Sequence, residues 1–372
     1  MVKVIMGDMF ESQAQTLVNT INCVGVMGKG VALEFKRRFP EMFEDYVKRC
    51  EAKQVRLGRP YLFKRKFPPW ILNFPTKDHW RSVSRLEHIV EGLSYLQQNY
   101  KSWGITSLAT PPLGCGYGQL EWRVVGPTLY KHLKVLDIPV EIYAPFGTSH
   151  EQLEISFLDN SEDMASRNVA RYKIEPAWVA IVEVLRRIED EPFHWPVGRT
   201  TFQKIVYFAT ECGVPTRLQY RRGSFGPYAP ALKERITALV NNGLVRETKQ
   251  GRMFAIRVGP KFPDARKTYE QQIREWEPII DKVADLFMRM NTQQAEVAAT
   301  VHFAAREVHS RPDGVPTEKE VLDAVLKWKQ KRRPPLEEKE VAVTVRNLNM
   351  LSWIRATVSN ELPITEDDFL HV

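Results

Sequence analysis

Two glycine-rich loops carry the residues of this sequence that are best suited to hold a phosphate group. The first glycine loop, GVMGKG (residues 25–30), follows a strand-like apolar run and opens a helix. The second glycine loop, LGCGYG (residues 113–118), also follows a buried apolar run and precedes a helix. Glycine lets the backbone bend sharply or approach a ligand closely, and the N–H groups at a helix N-terminus attract anions. The two loops therefore predict an anion-binding site.

Neither loop matches a standard nucleotide-binding motif. The first has Gly30 where a Walker A loop has the hydroxyl residue after its lysine, and neither has the context of a GxGxxG fingerprint. Two such loops at the carboxyl ends of neighbouring strands would hold a diphosphate from both sides, in the crevice where open α/β sheets bind ligands. A single loop could simply end a strand, but the pair predicts a pyrophosphate ligand.

The elements around these loops alternate between short apolar strands and helical patterns over the first 145 residues. This alternation predicts a layered α/β domain with helices on both faces of its sheet. From about 146 to 176 the sequence becomes polar, so we expect a linker over 151–176. The predicted strands are VKVIM, TLVNTINCV, YLFKR, WILNFPT, ITSLATPPL and VEIYAPF, and the predicted helices are KGVALEFKRRF, EMFEDYVKRCEAK, SRLEHIVEGLSYLQQNYKSWG and EWRVVGPTLYKHLKVL.

The second half of the chain begins with helical patterns. Three of them, which start at AWVAIV, TTFQKI and YAPALK, precede two strand-like runs joined by KQGR, a hairpin signal. Together they predict a winged-helix-like domain over 177–265, in which SFGPYAP is the turn that leads into the third helix. The pattern of 266–372 is helical and begins with one long predicted helix, RKTYEQQIREWEPIIDKVADLFMRM.

Composition and charge restrict the class of protein. The 372 residues suffice for two or three domains, and no apolar run reaches the ~20 residues of a membrane span. The start has no signal-peptide pattern, and four scattered cysteines indicate a reducing cytoplasm without disulfides. Residues 1–150 hold 20 Lys and Arg against 13 Asp and Glu, a net charge of +7, whereas 151–372 carry +1. The basic first domain either faces a polyanion such as nucleic acid or is a solvated basic surface.

Four motifs occur in a fixed order within residues 1–150. They are GDMF after the first strand, LVNTINCVGVMGKGVALEFKRRFP, NFPTKDHWRSVS and LGCGYGQLEW. In this order they resemble an ADP-ribose-binding macrodomain and, within that superfamily, the DNA ADP-ribosyl glycohydrolases of the DarG type, antitoxins of DarTG toxin–antitoxin systems. They are also similar to the vertebrate terminal ADP-ribose protein glycohydrolase. The resemblance implies an α/β fold, a three-layer α/β/α macrodomain with a mixed sheet, followed by the mostly helical, winged-helix-like C-terminal region.

The resemblance implies roles for residues at matching positions. Asp8 would accept a hydrogen bond from the adenine amine, and it could also cap a helix. Asn22 would face the distal ribose, or its amide would only stitch its own loop. Lys77 would be catalytic at the ribose anomeric carbon, where otherwise a lone loop lysine is a surface charge. The implied ADP-ribose-binding residues are Asp8, Met9, Asn22, Gly25, Val26, Met27, Gly28, Lys29, Gly30, Leu113, Gly114, Cys115, Gly116, Tyr117 and Gly118.

One position departs from the vertebrate relative, which carries a catalytic aspartate where this sequence has Gly118. The proton-handling group is therefore not identified. Asp78 and Glu121 are the nearest acids in the sequence, and either could instead cap a helix or pair with an arginine. Trp80 follows Lys77 closely and would either stack on a nucleotide or anchor the next helix in the core.

The resemblance implies an antitoxin that removes ADP-ribose from a DNA base, thymidine, without metal or redox cofactor. It would also neutralise a DarT-type ADP-ribosyltransferase toxin through 266–372. Its partners would be that toxin, ADP-ribosylated single-stranded DNA and the product ADP-ribose, in the bacterial cytoplasm and with no membrane. Two alternatives remain: a non-catalytic ADP-ribose reader with a DNA-binding winged helix, or a hydrolase of protein-linked or acetylated ADP-ribose. The near-zero charge of the second half argues against strong phosphate contact there.

Overall fold

The computed structural model describes residues 1–159, 174–251, 253–309 and 314–365. The chain divides into two compact units. Unit 1 comprises Met1–Lys173 and Lys233–Asn242, and unit 2 comprises Ile174–Leu232 and Gly243–Val372. Most of the predicted linker, residues 160–173, lies outside the described residues.

Unit 1 is built on a six-stranded sheet. Its strands are β1 (Val2–Ile5), β2 (Thr16–Asn22), β3 (Tyr61–Phe63), β4 (Trp70–Lys77), β5 (Leu108–Thr110) and β6 (Val140–Tyr143). They lie in the order β1-β6-β5-β2-β4-β3. Neighbouring strands are parallel except β3, which runs antiparallel to β4. The six predicted strands and the mixed sheet are confirmed.

Helices cover both faces of this sheet. They are α1 (Gly30–Arg38), α2 (Pro40–Glu51), α3 (Leu86–Trp103), α4 (Trp122–Leu133) and the short α5 (Ile155–Asp159). Leu17 of β2 packs in one hydrophobic cluster with Phe35 of α1 and Tyr46 of α2. On the opposite face Phe74 of β4 meets α3, where a Cβ at Gly92 would come 2.4 Å from its ring. The predicted helices of the first domain are therefore present, and together with the sheet between them they form three layers.

The remaining elements are mostly helical. The helices are α6 (Pro176–Asp190), α7 (Arg199–Glu211), α8 (Leu232–Asn241), α9 (Phe262–Thr268), α10 (Glu270–Arg274), α11 (Glu277–Phe287), α12 (Thr292–His309), α13 (Glu318–Lys329) and α14 (Glu338–Met350), and the strands are β7 (Arg221–Gly223), β8 (Gly226–Tyr228), β9 (Val245–Gln250) and β10 (Met253–Val258). The predicted hairpin is confirmed, because β9 and β10 pair antiparallel. No helix in the described part of the chain is long and apolar enough to cross a membrane.

Two local predictions for the second half are wrong. The single long helix predicted after residue 265 is three helices, α9 to α11. Pro278 lies at the start of α11, where a missing N–H is tolerated, whereas inside a continuous helix it would cost a backbone hydrogen bond and clash with the preceding turn. SFGPYAP does not lead directly into a helix, because Gly223 and Gly226 pair across Ser224 and Phe225 to close the hairpin β7–β8. Gly226 has φ +85°, a left-handed conformation that favours glycine.

Helix α8, the third helix of the predicted winged-helix domain, groups with unit 1. Thr237 donates a hydrogen bond to Gln119 at 3.0 Å, and the side chain of Asn241 accepts one from the backbone N–H of Leu86 at 2.9 Å. These contacts join residues more than 100 positions apart, so no local pattern predicts them. The division of 177–372 into a winged-helix-like domain and a separate helical region stays a prediction.

Candidate functional site

The candidate site lies where three neighbouring strands of the sheet end. Strands β5, β2 and β4 are adjacent and parallel, so their carboxyl ends meet at one edge. The first glycine loop follows β2, the second glycine loop follows β5, and Lys77 is the last residue of β4. The two glycine loops therefore begin at the same edge of the sheet, and the predicted catalytic lysine lies at that edge as well.

A β-bulge sets the position of Lys77. Ile21 of β2 pairs with Pro75 of β4, but the next residue, Asn22, pairs with Lys77, so Thr76 is the extra residue. Bulges of this kind re-aim a side chain at the end of a strand and are common next to active sites. The bulge brings Lys77 directly beside Asn22.

The side chain of Asn22 holds the first glycine loop in its turn. Its Oδ1 accepts hydrogen bonds from the N–H groups of Val24 at 3.0 Å and Val26 at 3.4 Å, and its Nδ2 donates to the carbonyl of Val26 at 2.5 Å. Tyr46 Oη donates to the same Oδ1 at 3.0 Å. The loop-stitching interpretation of Asn22 is therefore confirmed, and its contact with a ribose stays a prediction.

Each glycine loop presents consecutive backbone N–H groups. Those of residues 28–30 and of residues 116–118 have no hydrogen-bond acceptor among the residues that the structure describes. Successive N–H groups in a turn or at a helix N-terminus form a cradle for an anion. Cys115 does not contribute, because its N–H donates to the carbonyl of Pro112 at 3.0 Å. Burial raises the pKa of the Cys115 thiol to about 12, so that the thiol is neutral at physiological pH.

Tyr117, in the second glycine loop, contacts both the first glycine loop and Lys77. Lys77 Nζ donates a hydrogen bond to the carbonyl oxygen of Tyr117. The Tyr117 ring lies 3.3 Å from the position of a Cβ at Gly30, and Lys29 Nζ is 5.6 Å from the ring centroid. The ring itself is 59% exposed. One residue of the second glycine loop therefore contacts both the first glycine loop and the predicted catalytic side chain.

Gly118 has no room for a side chain. A Cβ at this position would lie 2.3 Å from the carbonyl oxygen of Gly114 and 2.3 Å from Ser84 Oγ. Such distances do not occur without a shift of the backbone, so the aspartate of the vertebrate relative cannot occupy this position in the present loop. The presence of glycine instead of aspartate at position 118 therefore agrees with the close packing of this position against Ser84.

The two nearest acids have structural partners. Glu121 forms an ion pair with Arg123, one of the alternatives left open by the sequence. Asp78 accepts a hydrogen bond from the N–H of His79 at 2.7 Å through Oδ1. Within the described ranges, no three side chains of His, Cys, Asp or Glu gather closely enough to hold a metal ion.

The remaining predicted residues divide into exposed and buried ones. Asp8 is exposed and caps the turn that follows β1, with its Oδ1 accepting from the N–H of Phe10 at 2.9 Å. The cap prediction is confirmed, and the contact with adenine stays a prediction. The side chains of Met9, Met27 and Leu113 are buried in the core, so only their backbones could face a ligand.

Trp80 lies on the surface next to the site. It is 48% exposed, which makes the core-anchor interpretation wrong. The ring of His79 stacks on it with centroids 5.4 Å apart, and Arg81 Cζ lies 4.6 Å from the ring centroid. His79 and Arg81 therefore pack against the Trp80 ring, which stays half exposed on the surface a few residues after Lys77.

Sequence reasoning missed the residues that support the second glycine loop. Ser84 donates its N–H to the carbonyl of Gly118 at 3.0 Å, and its own carbonyl accepts from Asn241 Nδ2 at 3.3 Å. Gln119, which has φ +68°, accepts from Thr237 Oγ1. Asn241 and Thr237 come from α8, and nothing in the local sequence of either segment indicates this contact.

Comparison with known proteins gives the family. The Macro domain family matches residues 18–129. The DNA ADP-ribosyl glycohydrolase of Thermus aquaticus is 33% identical over 316 residues, which is 84% of this chain and 84% of that protein. The enzyme of the same name from Mycobacterium tuberculosis is 33% identical over 353 residues, or 91% of each chain. The chain belongs to the DNA ADP-ribosyl glycohydrolase family.

Membership of the DNA ADP-ribosyl glycohydrolase family confirms the predicted fold class, a macrodomain with a mixed sheet followed by a largely helical region. A DNA ADP-ribosyl transferase-DNA ADP-ribosyl glycohydrolase fusion protein of Thermosipho africanus is 41% identical over 168 residues. The match covers 40% of this chain and 43% of the fusion protein. The name of that relative thus joins a DNA ADP-ribosyl glycohydrolase to a DNA ADP-ribosyl transferase in one protein.

Proposed function

We propose that this chain removes ADP-ribose from DNA bases, with thymidine as the modified nucleoside, and that it acts as an antitoxin. The observation that carries the proposal is the meeting of two sets of unpartnered N–H groups, at residues 28–30 and 116–118, at one sheet edge with Lys77. The absence of an acceptor refers to the described residues. The pyrophosphate would take both sets of N–H groups, and the distal ribose would then lie towards Lys77.

The proposed reaction is hydrolysis of an N-glycosidic bond. The bond between the ribose anomeric carbon and the base nitrogen breaks, water supplies the hydroxyl of the released ADP-ribose, and the base nitrogen takes up the remaining proton of that water. Lys77 would attack the anomeric carbon and open the ribose through a Schiff base that water then hydrolyses, or it would stabilise the reacting ribose by its charge. In this scheme Asp8 would accept from the adenine amine, and the two glycine loops would hold the pyrophosphate.

Release of free ADP-ribose from modified DNA tests this function. We expect the chain to release ADP-ribose from an ADP-ribosylated single-stranded oligonucleotide much faster than from an ADP-ribosylated peptide or from acetylated ADP-ribose. Chromatography of the product measures the three rates. Faster release from the peptide or the acetylated compound would favour the alternative of a hydrolase for protein-linked or acetylated ADP-ribose. Tight binding of ADP-ribose with no release from any substrate would favour the alternative of a non-catalytic ADP-ribose-binding protein.

The antitoxin role extends to the second half of the chain. We propose that 266–372 bind and neutralise a DarT-type ADP-ribosyltransferase, while the macrodomain reverses the modification of DNA. Support comes from the family and from the Thermosipho africanus fusion, whose name pairs the two activities. A DNA substrate and such a toxin would place the protein in the bacterial cytoplasm. Capture of an inactive toxin by the full chain, but not by a chain that ends at residue 265, would support this assignment.

Trp80 is predicted to bind the DNA part of the substrate. Replacing Trp80 with alanine should raise KM for the modified oligonucleotide about tenfold, because a base stacked on an aromatic ring contributes about 1–3 kcal/mol. The affinity for free ADP-ribose and the kcat should change little. Steady-state kinetics and calorimetry measure these quantities, and Trp80→Phe, which keeps a stacking face, is the matched control. An equal loss of affinity for free ADP-ribose would contradict this role.

A further inference from the structure

Unit 2 contains a cavity in which half of the lining residues are cationic. It lies between the turn at residues 223–225, which joins β7 to β8, and the residues that end and follow α13. The cations that line it are Lys329, Lys331, Arg332 and Arg333. We refer to this cavity as the basic pocket. Its volume of about 350 Å³ lies within the range of small-ligand sites, about 300–1,000 Å³.

The floor of the basic pocket is fixed by a buried ion cluster. Lys329 is only 5% exposed, and its Nζ donates to the carbonyl of Ser224 at 2.7 Å and to Glu296 Oε1 at 3.1 Å. Arg332 donates to both oxygens of the same carboxylate, at 3.1 and 3.2 Å. A single buried carboxylate therefore holds two cations, which leaves a net positive charge and a rigid wall.

A third basic side chain, Lys204, lies next to this cluster. Lys204 is 1% exposed and donates to the carbonyl of Pro227 at 2.8 Å. Burial, with the nearby charge of Lys329, lowers the pKa of Lys204 to about 7. Lys204 therefore carries only part of a positive charge near neutral pH, and an anion that entered the basic pocket would meet mainly the charges of Lys329 and Arg332.

The rim of the basic pocket is accessible and lacks acidic partners. Lys331 and Arg333 are exposed, and no carboxylate among the described residues pairs with either of them. Arg333 bonds only to the backbone carbonyls of residues 330 and 332 within the described part of the chain.

Phe225, at the tip of the β7–β8 turn, is 62% exposed. The ring of Trp328, by contrast, is covered by Arg222 and packs on Phe303. Phe225 is therefore the aromatic face that the pocket offers to a ligand.

Cations beside an exposed aromatic ring suit a particular class of polyanion. Proteins that bind single-stranded nucleic acid combine positive charge along the backbone with aromatic side chains on which bases stack. An acidic peptide would use the cations but leave Phe225 without a stacking partner. A duplex would present phosphates while its bases stay stacked in the helix. The combination of charge and exposed ring therefore favours a single strand.

We propose that the basic pocket binds single-stranded DNA, with a phosphate between Lys331 and Arg333 and the adjacent base on Phe225. The site is separate from the sheet edge that holds Lys77, and it does not depend on hydrolysis of ADP-ribose. The second half of the chain has a net charge of only +1. Residues 328–333, WKQKRR, nevertheless hold four cations and no acid, so the attraction is local.

Fluorescence polarisation of a labelled, unmodified oligothymidylate with the full chain tests this site. We expect the double variant Lys331→Glu/Arg333→Glu to bind at least tenfold more weakly. Its salt dependence should also be shallower by about 0.7 in the slope of log K against log salt, since each neutralised phosphate of a single strand contributes about 0.7. Phe225→Ala should weaken binding about tenfold and leave the slope unchanged, because stacking releases no counterions.

A second double variant serves as the matched control. Lys267→Glu/Lys327→Glu reverses two exposed lysines of unit 2 that do not line the basic pocket, and it should bind within threefold of the unchanged chain. An equal loss in this control would overturn the proposal, as would unchanged binding by the pocket variants. Loss of polyglutamate binding but not of oligonucleotide binding in the pocket double variant would assign the pocket to an acidic protein instead. Because the probe carries no ADP-ribose, failure of the proposed hydrolase function would leave this test unaffected.

Discussion

Replacing Lys77 with alanine is expected to lower kcat for release of ADP-ribose from modified DNA by a hundredfold or more, about 2.7 kcal/mol of barrier. Lys77 is the side chain at the sheet edge that would act on the anomeric carbon, whereas the two glycine loops would supply binding through their backbones. The Kd for free ADP-ribose should therefore change by less than threefold. Single-turnover kinetics and calorimetry measure the two effects.

Two further variants show how Lys77 acts. Lys131→Ala removes an exposed lysine of α4 in the same unit and should keep full activity. Lys77→Arg keeps the charge and the ability to donate to Tyr117, but it cannot form a Schiff base at neutral pH. An inactive arginine variant would favour the covalent route, and a partly active one would favour electrostatic stabilisation. If Lys77→Ala retained activity within tenfold, Lys77 would not be an essential catalyst.

Replacing Gly116 with glutamate is expected to reduce the affinity for ADP-ribose at least a hundredfold. A Cβ at Gly116 meets nothing within 4 Å, so the side chain can be added without a clash and the loop can keep its conformation. The added carboxylate would extend from the segment whose N–H groups, residues 116–118, would hold a phosphate. Repulsion between the two negative charges and loss of space would then both oppose binding. Isothermal calorimetry on the folded variant measures the loss.

The control for this variant must add the same charge elsewhere in unit 1. Gln98→Glu does so on the exposed face of α3 and should bind ADP-ribose like the unchanged chain. Melting temperatures of both variants establish that they are folded. Unchanged affinity in Gly116→Glu would mean that the second glycine loop does not contact the pyrophosphate. The pyrophosphate would then have to be assigned to the first glycine loop alone.

The part of the site that the sequence predicts is local in the chain. Glycines that follow an apolar strand and precede a helix specify a strand, a turn and a helix N-terminus within a dozen residues, so the sequence alone locates both glycine loops. The approach of Lys77 to Asn22 could not be predicted, because it depends on the bulge at Thr76. A bulge depends on how two strands pair, and neither strand carries a signal for it on its own.

The net charge of the second half is likewise a poor guide to what the fold brings together. The net charge of residues 151–372 is +1, which predicts weak contact with phosphate. The basic pocket nevertheless has four cations in its lining, beside a turn at Phe225 that only the fold brings to the residues after α13. The hairpin that supplies Phe225 also escapes sequence reasoning, since Pro227 in SFGPYAP equally suits the start of a helix. A sum over a long segment says little about the field at one place on its surface.

The grouping of α8 with unit 1 has a consequence for synthesis on the ribosome. Residues 1–173 emerge first, but Lys233–Asn242, which complete unit 1, follow only after the intervening Ile174–Leu232 has been translated. At about 5–20 residues per second, that segment delays α8 by roughly 3–12 s. During this interval Ser84 and Gln119 have already been made but lack their hydrogen-bond partners Asn241 and Thr237. The nascent protein therefore carries its second glycine loop for several seconds before the helix that contacts it has been made.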